Sequence, residues 1–204
     1  MDFLTIKKKT EYELTEKRSR FIAYAFPVST EEEALKEIEG IKSIHKTAKH
    51  NIYAYKLREQ NKMRYSDDKE PQGTAGLPVL DIIQKEGLTD TLVVVTRYFG
   101  GILLGTGGLM RAYSEAAKQA LLKSGIIKKV LCDIIEIITD YNYYDKILNL
   151  LISEGKITDT RFENNIIITA YCDKDKTENV MKKLNDITNG KIRTEIKKQA
   201  FIEI

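Results

Sequence analysis

Residues 92–111 read LVVVTRYFGGILLGTGGLMR, a short apolar run followed by a glycine-rich segment. The β-branched run over residues 92–95 predicts a strand that is buried on both faces. Apolar residues at helical spacing then predict a helix over about residues 108–124, and Gly125 is a typical stop signal. Five of the twelve glycines lie in residues 100–108, so the loop that joins this strand to this helix needs unusual backbone freedom.

This loop has the features of an anion-binding site. Glycine lets a ligand or another backbone approach closely, and the free amides at a helix start favour negative charge. Arginines at the strand end and in the helix would add charged donors. The candidate anion- or RNA-binding residues of this segment are Arg97, Tyr98, Gly100, Gly101, Gly105, Gly107, Gly108 and Arg111. The alternative is a tight loop that packs against a neighbouring strand.

Two familiar nucleotide-binding motifs are absent from this loop. A P-loop requires lysine where Thr106 stands, and a dinucleotide-binding fingerprint requires a third glycine where Met110 stands. The chain also has no Gly-x-Ser-x-Gly motif, so the sequence shows no serine nucleophile. We therefore predict no catalytic residue and no cofactor.

Residues 66–76 read SDDKEPQGTAG and form a second candidate cluster. Its members are Asp67, Asp68, Glu70 and Thr74. Three carboxylates within four positions have the chemistry to bind a hard cation such as magnesium. The alternative is a solvated turn in which Thr74 or a neighbouring group caps the next helix. We favour the turn and predict no metal site.

Residues 45–56 read HKTAKHNIYAYK, in which basic side chains are followed by alternating aromatic ones. Such a pattern suits contact with a nucleic-acid backbone and stacking of bases. Lys46, Lys49 and His50 would then extend the basic face of the glycine-rich loop. The alternative is a basic loop that leads into an amphipathic strand. The two histidines have no cysteine nearby and no helical i, i+4 spacing, so they do not indicate a zinc site.

The pattern changes from Ile126 onward, where strands and helices follow in the order β-α-β-β-α-β. This order is typical of the ferredoxin-like fold, and we place the domain boundary between residues 1–128 and 129–204. The first and third strands of such a sheet are antiparallel neighbours. Cys132 and Cys172 are therefore expected close together, either as two buried thiols or within reach of a disulfide.

Composition and charge limit the class of protein. Hydrophobic residues make up 42% of the 204 and the net charge is +3, whereas a disordered chain has low hydrophobicity and a large net charge. Residues 129–204 carry 12 Lys+Arg against 13 Asp+Glu, so the positive excess lies in the first domain. The first nine residues lack the apolar region of a signal peptide. We expect a soluble, cytoplasmic protein that does not bind membranes.

Four segments together resemble the YigZ/IMPACT family. They are the glycine-rich residues 96–113, the acidic residues 67–76, the pair at 50–51 and the strand at 19–23. Lys69 departs from the family pattern, which usually has glycine there. The resemblance covers the whole chain in its bacterial form and implies an α+β protein of two domains. The N-terminal domain would resemble domain 2 of ribosomal protein S5, and the C-terminal domain would be ferredoxin-like, similar to the last domain of elongation factor G.

The resemblance also implies a link to translation. Eukaryotic IMPACT relatives regulate translation initiation with an additional N-terminal RWD domain, whereas this sequence begins at the shared domain. Three functions are compatible with these sequence features. We favour a translation-linked regulator that binds RNA, the ribosome or a translation factor through the basic, glycine-rich face. The alternatives are a small phosphate- or nucleotide-binding enzyme of GHMP-kinase-like fold and a protein–protein interaction module.

Overall fold

The computed structural model describes residues 2–203, and this part of the chain divides into two compact units. The larger unit is Phe3–Lys128, and the smaller one combines Asp2 with the residues from Lys129 onward. Both units contain helices and strands, which agrees with the α+β class expected from the sequence. Within residues 2–203, every helix is too short or too polar to cross a membrane.

The larger unit is built around an antiparallel sheet. In chain order its elements are β1 (Phe3–Ile6), β2 (Thr10–Glu16), β3 (Ser19–Pro27), α1 (Glu31–Ile44), β4 (His50–Lys56), β5 (Met63–Ser66), α2 (Gly76–Lys85), β6 (Thr91–Tyr98) and α3 (Thr106–Ser124). Five of these strands lie side by side in the order β2–β3–β6–β4–β5. Each neighbouring pair is antiparallel. In this order β6 is the central strand of the sheet.

The central strand β6 is buried on both faces, as its apolar sequence predicts. Val93 and Val95 pack with residues of α2 and α3 on one face of the sheet. Leu92 and Val94 pack with residues of α1 on the other face. The two hydrophobic cores of this unit therefore both include residues of β6. Burial of each such side chain contributes about 1.5–3 kcal/mol to the stability of the fold.

Helix α1 begins with a capping box, for which the spacing Thr30-x-x-Glu33 is typical. The Thr30 hydroxyl accepts a hydrogen bond from the Glu33 amide at 3.2 Å, and the Glu33 carboxylate accepts one from the Ser29 amide at 2.6 Å. Three glutamates in the first turn also stabilise the helix through their interaction with the positive end of its dipole. The buried stripe of the helix is Ala34, Ile38 and Ile41, which places α1 on the sheet face opposite α2 and α3.

The smaller unit has the predicted strand–helix–strand–strand–helix–strand order. Its elements are β7 (Ile126–Thr139), α4 (Tyr144–Glu154), β8 (Gly155–Phe162), β9 (Ile166–Asp173), α5 (Thr177–Ile187) and β10 (Ile192–Glu203). The strands lie in the order β10–β7–β9–β8 and pair antiparallel throughout. Both helices pack on one sheet face, where the core includes Ile135, Ile147, Leu151, Ile168 and Leu184.

The two cysteines lie in neighbouring strands of the smaller unit, as the predicted topology requires. Cys132 is registered against Asp173, and Cys172 against Asp133. Successive side chains of a strand point to opposite faces, so the two thiols point to opposite faces of the sheet. Both are buried and free, and burial raises the pKa of Cys172 to about 11. The pair is therefore two separate buried thiols rather than a disulfide.

Candidate functional site

Three adjacent strands of the larger unit end at the same edge of the sheet and carry polar side chains there. Ser19 begins β3, His50 begins β4, and Arg97 lies near the end of β6, directly opposite His50 in the register. Each of these three residues lies two positions along its strand from a core residue that packs on α2 and α3. Side chains two positions apart share a face of the sheet, so all three point toward that helical layer. The glycine-rich and the basic sequence segments therefore meet at this edge.

The acidic segment contributes Glu70 to the same place, and a helix residue completes the group. One oxygen of the Glu70 carboxylate, Oε1, accepts hydrogen bonds from Arg97 Nη1 at 2.6 Å and from the Tyr113 hydroxyl at 2.8 Å. The Nε2 of His50 lies 3.7 Å from the same oxygen. All four side chains are buried. We call His50, Glu70, Arg97 and Tyr113 the buried polar cluster.

The arginine of this cluster lies between aromatic rings. Its Cζ is 5.4 Å from the ring centre of Phe21 and 5.6 Å from that of Phe99. Its Nε has no hydrogen-bond partner within residues 2–203. Burial, followed by the negative charge of Glu70, raises the pKa of Tyr113, so this hydroxyl stays protonated and donates to the carboxylate. The cluster is therefore an ion pair with one further donor, held away from water.

The other acidic residues of the 66–76 segment bind backbone amides rather than facing solvent. The Asp67 carboxylate accepts from the amides of Gly73, Ala75 and Gly76 at 2.8–3.1 Å. It thereby satisfies free donors at the start of α2. Asp68 accepts from the Asn51 amide at 2.7 Å.

The remaining polar groups of this segment also bond internally. The Asp68 carbonyl lies 2.7 Å from His50 Nδ1. The Thr74 hydroxyl donates to the Pro71 carbonyl at 2.6 Å, so Asp67 rather than Thr74 caps α2. Within residues 2–203, no group of three or more His, Cys, Asp or Glu side chains is arranged to hold a metal ion.

The glycine-rich loop serves two different geometric needs. A Cβ on Gly100 would lie 2.1 Å from the backbone carbonyl of Arg18, so only glycine lets the loop pass the turn between β2 and β3. Gly105 has φ +71° and precedes α3, which begins at Thr106, two residues before the predicted start. Its N-cap residue, Gly105, has no side chain with which to cap the helix. The other candidate glycines are Gly101 in the loop and Gly107 and Gly108 in the first turn of α3.

Exposed cations surround the edge at which the buried polar cluster lies. They are Lys17, Arg18, Lys46, Lys49, Lys69 and Arg111, and none of them forms an ion pair within residues 2–203. The Lys49 ammonium lies 5.4 Å from the ring centre of Phe99, which is 42% exposed. The Arg111 guanidinium folds over the first turn of α3, near Gly107. We call these six cations and Phe99 the strand-end surface.

Three predicted members of the site lie elsewhere or play another part. Arg97, predicted to bind anions, is buried and paired with Glu70. Tyr98 points to the opposite sheet face, where its hydroxyl is 2.9 Å from Nδ1 of His45. The hydroxyl of Tyr24 is 2.7 Å from the other nitrogen of the same ring. Burial lowers the pKa of His45, so the neutral ring accepts from one tyrosine and donates to the other. His50 is buried and belongs to the buried polar cluster rather than to the exposed basic face.

The sequence did not point to several residues that the structure brings to this edge. Tyr113 is an apolar-stripe residue by its spacing, and Phe99 follows the end of a strand, where alternation gives no direction. Lys17 and Arg18 form the turn between β2 and β3, with φ of 45° and 65°. An extra charge at a turn has no distinctive sequence pattern, so the hairpin tip could not be assigned in advance.

Comparison with known proteins assigns the chain to a family. The Impact N-terminal domain matches residues 17–121, and a domain of unknown function (DUF1949) matches residues 137–191. The chain therefore belongs to the IMPACT family. The strand-end surface and the buried polar cluster lie within or beside the first of these matches.

Individual relatives span nearly the whole chain. IMPACT family member YvyE of Bacillus subtilis (strain 168) is 38% identical over 191 residues, covering 93% of this chain and 88% of the relative. IMPACT family member YigZ of Escherichia coli (strain K12) is 31% identical over 181 residues, covering 87% and 89%. A crystal structure of a hypothetical protein aligns over 97% of this chain and 98% of its own, with a TM-score of 0.63 and 28% identity.

The close approach at Gly100 gives a testable stability difference. Gly100→Ala places a methyl group against the Arg18 backbone, and we expect a loss of about 1–3 kcal/mol in the free energy of unfolding. Gly107→Ala is the matched control, because within residues 2–203 a Cβ there would meet just the end of the Arg111 side chain, at 3.5 Å, and alanine favours helix. Urea denaturation measures both variants. Equal effects of the two substitutions would contradict the close-approach argument.

The buried ion pair gives a second prediction. Glu70→Gln leaves the Arg97 charge buried without a counter-charge, and we expect a loss of about 3–5 kcal/mol in the free energy of unfolding. Glu39→Gln removes the exposed pair with Lys42 and should cost no more than about 1 kcal/mol. The double variant Glu70→Gln/Arg97→Met should recover part of the loss. Guanidinium denaturation that gives the same cost for Glu70→Gln and Glu39→Gln would refute the buried pair.

Proposed function

We propose that this protein is a translation-linked, cytoplasmic regulator that binds RNA through the strand-end surface of its first domain. In this proposal residues 1–128 form a domain like domain 2 of ribosomal protein S5. Residues 129–204 form a ferredoxin-like domain. The strand orders β2–β3–β6–β4–β5 and β10–β7–β9–β8 support this assignment. Membership of the IMPACT family supports the link to translation.

The observation that carries the proposal is the separation of charge at the strand-end surface. Six exposed cations are unpaired there. The neighbouring carboxylates of Asp67, Asp68 and Glu70 are all bound internally. Six cations against Glu16 and Glu115, which line a groove with Lys17 and Arg111, leave an excess of positive charge for an approaching phosphate, although the net charge of the whole chain is only +3. Arg111 and the uncapped start of α3 add directional donors for phosphate oxygens.

The buried polar cluster has a supporting part in this proposal. Arg97 is bound to Glu70, so it fixes the end of β6 instead of neutralising phosphate. His50 fixes the acidic loop through the Asp68 carbonyl. The residues that would touch RNA are therefore the exposed cations, above all Lys49 and Arg111, and a translation factor would be the alternative partner.

A salt-dependent titration tests the proposal. We expect the affinity for RNA, measured by fluorescence anisotropy, to fall steeply with salt, because lysine and arginine side chains that bind phosphates release the counterions held by the RNA. Arg111→Ala should lower the slope of log K against log salt by about one unit. Lys36→Ala is the matched control, because this exposed lysine lies on α1, on the opposite face of the sheet.

The outcomes of this titration separate the site from the function. An unchanged slope in Arg111→Ala removes Arg111 from the contact. An equal change in Lys36→Ala would mean that binding is not confined to the strand-end surface. Absence of RNA binding at low salt contradicts the proposed function and leaves a protein partner as the better explanation.

A further inference from the structure

Phe99 is an exposed aromatic ring with charged neighbours. Its side chain is 42% exposed, at the point where β6 ends and the glycine-rich loop begins. The Lys49 ammonium and the Arg97 guanidinium lie 5.4 and 5.6 Å from its ring centre. Cations at this distance are attracted to the electron-rich face of an aromatic ring. These two cations therefore restrain the ring, although part of it is exposed to solvent.

The buried side of this arrangement is rigid. The Arg97 side chain is 6% exposed and is bound to Glu70, which in turn accepts from Tyr113. Gly100, which follows Phe99 in the chain, donates a hydrogen bond from its amide to the Ser19 hydroxyl at 3.2 Å. The main chain on both sides of Phe99 is thus fixed by buried contacts, so little conformational freedom is lost when a ligand packs on the ring.

The loop around the ring carries no charge of its own. Residues 99–105 contain no Asp, Glu, Lys or Arg, so phosphate contacts must come from neighbouring segments, such as Lys49 beside Phe99, Arg18 beside Gly100 and Arg111 on the following helix. The exposed Lys49 ammonium lies over the ring, so a base that stacks on Phe99 takes its place there while the ammonium pairs with a phosphate of the same strand.

We infer that Phe99 is a stacking platform for an unpaired nucleobase, so that the ligand of the strand-end surface is single-stranded RNA rather than duplex. The inference rests on the proposed function, and it adds the class of RNA and the residue that selects it. A base within a duplex is covered by its neighbours and cannot offer its face to a side chain. Buried Arg97, Glu70 and Tyr113 act as positioning residues for the ring.

The test compares two probes with the full-length chain. One is a fluorescein-labelled, unstructured single-stranded RNA of about twelve nucleotides, and the other is the duplex that it forms with its complement. Phe99→Ala should weaken binding of the single strand about 5- to 100-fold. The salt slope should not change, because no charge is removed. Binding of the duplex should stay within about twofold of its original value.

Three further variants distinguish stacking from other effects. Phe99→Trp should retain the affinity for the single strand, whereas Phe99→Leu keeps an apolar side chain but should lose affinity like Phe99→Ala. Leu103→Ala is the matched control, because Leu103 is 82% exposed in the same loop and has no π face. We expect Leu103→Ala to change the affinity by less than about twofold.

Each outcome decides the inference. Selective loss of single-strand binding in Phe99→Ala and Phe99→Leu supports it. Equal loss in Leu103→Ala, or an unchanged affinity in Phe99→Ala, overturns it, while the proposed function stands if Arg111→Ala still lowers the salt slope. Absence of binding to either probe overturns the inference together with the proposed function, and it favours a protein as the occupant of this surface.

Discussion

The carboxylate of Glu70 joins three parts of the larger unit that are distant in sequence. It accepts from Arg97, 27 residues away on β6, and from Tyr113, 43 residues away on α3. Placing charges in a protein interior is costly, and the cost is offset only when the charged groups are paired and hydrogen-bonded. The end of β6, the acidic loop and the middle of α3 are therefore fixed relative to one another by this one oxygen.

This internal use of acidic groups determines the character of the surface above it. Glu70, Asp67 and Asp68 are bound to interior donors, so these three carboxylates do not neutralise the cations of the strand-end surface; within residues 2–203, the acidic side chains that line a groove with Lys17 and Arg111 are those of Glu16 and Glu115. A chain whose charges nearly balance thereby presents a locally basic edge. The same ion pair supports Phe99 from below, which joins the stability of the fold to the binding site that we propose.

Local sequence signals predicted the parts of the fold that depend on local physics. The apolar run of β6 and the order of elements in the smaller unit both follow from residue spacing. The site was harder to predict because its contacts are long-range. Alternation counted from Val95 separates Arg97 from Tyr98, but no local pattern pairs Glu70 with a tyrosine 43 residues later. The glycine signature was visible, yet the need for Gly100 arises from a hairpin 81 residues earlier.

The most direct test of the central claim is an NMR titration of the full-length chain with single-stranded RNA, followed through backbone amide signals. We expect the largest shifts on Lys49, on residues 99–108 and on Arg111. Helix α1 and the residues from Lys129 onward should remain largely unchanged. Shifts concentrated in the smaller unit, or spread evenly over the exposed lysines, would contradict the claim that the edge organised by Glu70 is the RNA-binding surface.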